Sequence, residues 1–165
     1  MTTLTLHSRR TGFPARYEIT GSGFPTTRIG SRALRRGGEI VIDGARFELT
    51  SGSFGTAYTL RPVARASAPD GPANPVAAAE RAGTTGWTIA AGDREYRLAP
   101  APDSRDLELR DGDGALCGRI GRTGWSSRGI DAEFDGLDGP LAVFVLCLGL
   151  ATGQRRRRTV TVAGG

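Results

Sequence analysis

Apolar and polar positions alternate along most of this chain in short runs, and the alternation gives way only near the C-terminus. Leu4 to His7 reads Leu-Thr-Leu-His, and Arg16 to Thr20 places Tyr17 and Ile19 on one face. A period of two is the signature of a half-buried strand. Gly21 to Pro25 breaks the second run. Arg28 to Gly30 and Ala33-Leu34 suggest a weaker strand pair. Glu39 to Leu49 is the clearest hairpin: EIVI runs into Asp43-Gly44, and ARFEL leaves it. Asp-Gly between alternating apolar residues suits a tight turn in which both central residues need positive φ.

Ala57 to Leu60 gives another strand. Asp70 to Pro75 (DGPANP) reads as a loop, and Val76 to Arg81 as one helical turn or more loop. Trp87 to Ala90, Glu95 to Leu98 and Asp106 to Arg110 follow as strands. Asp111 to Gly114 is a turn, and Leu116 to Ile120 pairs back. Arg128 to Phe134 alternates again, and Thr159 to Val162 (TVTV) suggests a closing strand.

One stretch has neither charge nor turn signal: Leu141 to Ala151, LAVFVLCLGLA. On a helical wheel, Leu141, Phe144, Val145 and Leu148 take one face, and the other face is equally apolar. Such a helix must be surrounded, by protein or by lipid. It rises roughly 16 Å against a hydrocarbon core of roughly 30 Å, which favours protein.

The chain also repeats itself. A shift of 49 positions carries Ile40, Phe47, Leu49, Tyr58, Leu60 and Arg61 onto Ile89, Tyr96, Leu98, Leu107, Leu109 and Arg110. The turn Asp43-Gly44 falls on Gly92-Asp93. A duplicated meander closes naturally into a barrel, because closure removes exposed edges. About twelve strands make a barrel too wide for its own side chains to fill. The expected fold is therefore mainly β: a closed antiparallel barrel of about twelve strands around a central hydrophobic helix at about 140–153. All 165 residues are expected to form one domain.

These features resemble the tubby C-terminal-like superfamily, which includes LURP-one-related proteins and phospholipid scramblases. The resemblance rests on Trp87-x-Ile89, Tyr96-x-Leu98, Leu107-x-Leu109, Asp113-Gly114 and Gly118-x-Ile120. Ile130 to Phe134, Leu137 and the helix Leu141 to Ala151 complete it. The short length is most similar to small bacterial members of the LURP-one-related group. The resemblance implies a barrel threaded by a hydrophobic helix and, by analogy of fold, contact with membrane lipid. No particular arginine matches a lipid-binding position of the family.

Net charge is +5, and every basic side chain is Arg with no Lys. That bias reflects coding composition, so it is no argument for nucleic acid. Arg155 to Arg158 is the only run. Three readings stand for it: a solvated helix exit facing the negative end of the dipole, contact with acidic headgroups, or the flank of a membrane insertion. The first fits best a chain that re-enters the barrel at TVTV.

Other candidates read as structure. His7 is the sole histidine, so any nucleophile–base pair must use it, and pairing with Cys117 would need a coincidence of fold. Cys117 and Cys147 read as free buried thiols, too few to ligate metal with one histidine. Asp111 to Gly114 starts like a calcium loop, yet the position needing glutamate is Arg122. Asp131, Glu133 and Asp135 read as a solvated strand face, and Gly21 to Gly23 as a turn. Trp87 and Trp125 read as core or rim aromatics. MTTLTLHSRR lacks the apolar core of a signal peptide, so a cytoplasmic location, extending to the membrane periphery, is expected. The sequence thus suggests a non-enzymatic module without cofactor, binding anionic lipid through Arg155, Arg156, Arg157 and Arg158; a domain for protein partners is the alternative.

Overall fold

The computed structural model describes residues 2–63, 74–122 and 129–162. Among them the alternating runs become strands of one antiparallel sheet. In chain order these are β1 (Thr3–Thr11), β2 (Arg16–Gly21), β3 (Phe24–Gly30), β4 (Gly38–Ile42), β5 (Ala45–Ser51) and β6 (Ala57–Pro62). There follow β7 (Ala77–Ala82), β8 (Gly86–Ala91), β9 (Arg94–Pro100), β10 (Leu107–Asp111), β11 (Leu116–Arg122) and β12 (Gly129–Asp135). A short helix, α1 (Ser31–Arg36), joins β3 to β4, and a 24-residue helix, α2 (Gly139–Val162), ends the described chain.

The ladder runs β3-β2-β1-β12-β11-β10-β9-β8-β7-β6-β5-β4. Strands β3 and β4 are its two edges and lie against each other, with α1 packed on both. The sheet is therefore a nearly closed twelve-stranded barrel with one seam. The duplication is visible in its register. Ile40 pairs with Phe47 as Ile89 pairs with Tyr96, and Leu49 pairs with Leu60 as Leu98 pairs with Leu109. All eight side chains are buried. The hairpin turn forms as expected, with φ of 50° at Asp43 and 73° at Gly44.

The interior belongs to α2. Leu141, Phe144, Val145 and Leu148 are buried, and so are the residues between them on the opposite face. The helix starts where Asp138 accepts the Leu141 N–H at 2.9 Å, an N-cap that also places negative charge at the positive end of the dipole. At that end it crosses Phe24: a Cβ on Gly139 would fall 2.8 Å from Phe24 Cε2. Further along, a Cβ on Gly149 would fall 3.0 Å from Ile120 Cδ1. The helix therefore packs directly on the strands around it, and the apolar wheel is explained by enclosure.

Three expectations are corrected. Thr159 to Val162 is not a strand but the last turn of α2, which runs well past 153. Every strand except β3 and β4 already has two neighbours, so the β-branched alternation finds no edge to join, and the helix simply continues. Ala33-Leu34 lies in α1, with Leu34 buried, rather than in a strand. Val76 to Arg81 is mostly β7, neither helix nor loop, because the ladder between β6 and β8 needs a strand there. Most of the loop Asp70 to Pro75, and Trp125 and Arg128, lie outside the described residues.

Candidate functional site

An up-and-down barrel sorts its connections into two ends, because consecutive strands run in opposite directions. One end collects the turns after β1, β3, β5, β7 and β9. The other collects those after β2, β4, β8, β10 and β12. Helix α2 enters at the second end beside Phe24 and leaves at the first, where Trp87 near the start of β8 meets Thr152.

Exposed arginines are in excess at one end of the same axis. The end from which α2 emerges carries Arg9 and Arg10 at the close of β1, Arg16 at the start of β2, and Arg32, Arg35 and Arg36 on α1, all exposed. Arg105 in the connection after β9 is also exposed, beside Asp103. The opposite end carries Asp43, Asp93, Asp113, Asp135 and Asp138, with Arg46, Arg61, Arg94 and Arg110 among them, all exposed. Asp111 Oδ1 accepts the Asp113 and Ala115 N–H groups at 3.0 and 2.8 Å. The loop that resembles a calcium site is therefore a self-satisfied turn. Among the described residues, no cluster of His, Cys, Asp and Glu has metal-site geometry.

The four consecutive arginines fall within α2, so they leave the barrel at its basic end. Their side chains are outside what is described. The helix accounts for this arrangement. The helix is buried as far as Thr152, and about 15 Å more at 1.5 Å per residue carries its backbone on to Val162.

Phe13 and Phe54 share this end. Phe13 sits in the turn after β1, and Phe54 in the 3-10 turn Ser53–Gly55 after β5. Both are fully or almost fully exposed. The sequence reading missed them, because neither belongs to an alternating run. The available signal was the parity of the turns: an even number of strands separates these two, which places them together.

The remaining candidates are held by structural partners. His7 Nδ1 lies 2.7 Å from Asp131 Oδ1 on the outer wall, and no cysteine shares that position. Asp135 accepts the Thr3 hydroxyl at 2.6 Å. Trp87 is buried, edge-on to Tyr58. Both cysteines are free: burial pushes the Cys147 thiol up to about 12, and burial also raises that of Cys117. On the wall, Glu108 takes Arg110 at 2.8 Å and Arg119 at 3.0 Å, and the Arg110 hydrogen bond leads in holding its carboxyl below the usual carboxylate range.

One groove, of about 460 Å³, follows the seam between Pro25, Thr26 and Arg28 of β3 and Glu39, Ile40 and Val41 of β4. Its edges are blunted. Pro25 has no N–H to offer, and ion pairs of Arg28 with Glu18 and Arg46 with Glu39 flank it.

Among the described residues, no helix is long and apolar enough to cross a membrane. No family model and no curated protein matches the chain.

Proposed function

We propose that the protein is a non-enzymatic β-barrel module that docks on anionic membrane lipid through arginines at one end of the barrel. The observation that carries this reading is the excess of exposed arginine at one end of the barrel. Arg10, Arg16, Arg32, Arg35 and Arg36 crowd the end toward which α2 runs, whereas at the other end aspartates alternate with Arg46, Arg61, Arg94 and Arg110. Each arginine near an anionic surface contributes about 1 kcal/mol, so a one-ended cluster both attracts and orients the molecule. The twelve strands around a C-terminal helix also support kinship with the tubby-like superfamily and a peripheral place at the membrane, as the resemblance suggests.

Vesicle co-sedimentation tests the reading. At low salt, recovery with phosphatidylglycerol vesicles is expected to exceed recovery with phosphatidylcholine vesicles and to fall as salt rises. Replacing Arg32, Arg35 and Arg36 by Glu is expected to remove most of the difference. Equal recovery on both vesicles contradicts it.

The same one-ended excess favours a second reading, a protein-interaction domain in which the basic end of one copy meets the aspartates of another. Light scattering distinguishes it: salt-sensitive, concentration-dependent growth without vesicles is its signature.

A further inference from the structure

We propose that the barrel binds water inside its wall, at the hydroxyls of Thr27 and Ser8, on the side of the seam between β3 and β4. The proposal is independent of lipid docking and uses neither the arginine-rich end nor a membrane.

Both hydroxyls face the interior, because each residue alternates with exposed neighbours: Thr27 with Thr26 and Arg28, Ser8 with His7 and Arg9. Thr27 is 1 % and Ser8 3 % exposed. Neither oxygen finds a hydrogen-bond partner among the described residues. Glu108 and Thr152, which are also buried, both have partners. Buried polar groups are answered by protein or by ordered water, and here protein does not supply the answer.

The two positions also belong to one place. Ile19 of β2 pairs with Ser8 on one side and with Thr27 on the other, so the three form one row across β1, β2 and β3. Two strand spacings put Ser8 and Thr27 about 10 Å apart along that row. The distance is too long for a bond between the two hydroxyls, and the isoleucine between them offers none.

The seam supplies the approach. Among the described residues, no backbone hydrogen bond joins β3 to β4. The N–H and C=O groups that each edge turns toward the other are therefore left for water, the Pro25 nitrogen excepted. The groove between them reaches Ile40, an inward side chain of β4 that is only 2 % exposed. Thr26 and Arg28, the sequence neighbours of Thr27, line its other side. Water at this depth meets polar backbone on both strands as well as the Thr27 hydroxyl, which supplies the two to four partners a fixed water requires. Ser8 lies two strands further in. Every other neighbouring pair of strands is closed by a ladder, so the hydrated side of the barrel is this one.

The test is oxygen-17 relaxation dispersion, which counts long-lived internal waters and is not mimicked by exchange of hydroxyl protons. The full chain is compared with a Ser8→Ala/Thr27→Val double variant, in which each new side chain fits the space of the old one. The dispersion amplitude is expected to fall by about two waters, one for each hydroxyl. Thr27→Ser keeps a hydroxyl and is expected to keep the wild-type amplitude. An equal amplitude in the wild type and the double variant overturns the proposal. A second measurement needs no substitution: magnetisation transfer from water to the Ile19 methyl groups of the wild type is expected, because Ile19 lies between the two hydroxyls. Its absence overturns the proposal as well. Transfer with an unchanged amplitude in the double variant comes from hydroxyl exchange alone, and it too counts against bound water.

Discussion

Trp87 Nε1 donates to Thr152 Oγ1 at 3.0 Å, and the Thr152 hydroxyl in turn donates to the Leu148 carbonyl at 2.9 Å. This buried chain of two bonds ties the last enclosed turn of α2 to the barrel wall, below the arginines. Thr152→Val removes the acceptor and leaves a buried indole N–H unpaired, at a cost of about 1–3 kcal/mol. Thr152→Ser keeps the bond and is expected to lose much less. Thermal unfolding of the two variants provides the comparison.

The same enclosure makes α2 intolerant of charge. Val145 and Leu148 have no exposed surface. Val145→Asp or Leu148→Arg places an unpaired charge among strands on every side, a loss of several kcal/mol against a total of about 5–15. Neither variant is expected to be recovered as a soluble folded protein. Folding of either with an unchanged melting temperature would contradict a buried central helix.

How much of this was legible depended on whether the deciding interaction was local. The strands around Asp43-Gly44 and the paired repeat could be read, because alternation and turn chemistry there agree with the final register. Leu141 to Ala151 could be read because an all-round apolar helix admits few environments. Ala77 to Ala82 could not: alanines favour helix locally, and only the ladder between β6 and β8 makes a strand of them. TVTV failed for the opposite reason, since β-branched residues suggested a strand where no free edge was left. The basic end was hidden by distance along the chain. Arg10 and Arg32 come to one end only because odd-numbered turns share it, which the strand count could have revealed.

The two thiols report on opposite environments. Cys147 is fully enclosed, with its pKa pushed to about 12 by burial, whereas Cys117 is half-buried and its Sγ reaches the Ala115 carbonyl at 3.5 Å. Alkylation of the native protein is expected to label Cys117 alone, and faster as pH rises because its thiol also sits above the ordinary value. Both label in denaturant. Mass spectrometry of the labelled chain decides.

Acid is expected to weaken the outer wall at Glu108. Its folded pKa lies below the ordinary 4.5, chiefly through the hydrogen bond from Arg110. The unfolded chain therefore takes up the proton first. The stabilisation is complete above that ordinary value and is lost as pH falls through the folded one. Glu108→Gln is expected to lower the melting temperature at neutral pH and to flatten its decline in acid. An unchanged acid profile would show that Arg110 and Arg119 do not depend on this carboxylate.

The orientation of the barrel on lipid is tested most directly by amide hydrogen exchange of the wild-type protein with and without phosphatidylglycerol vesicles. Protection is expected at the basic end, in residues 12–15, in α1 (Ser31–Arg36) and in residues 52–56, with the turns at Asp43-Gly44, Gly92-Asp93 and Asp111 to Gly114 unchanged. Protection at those aspartate turns, or no protection at α1 when the protein is vesicle-bound, would contradict end-on docking.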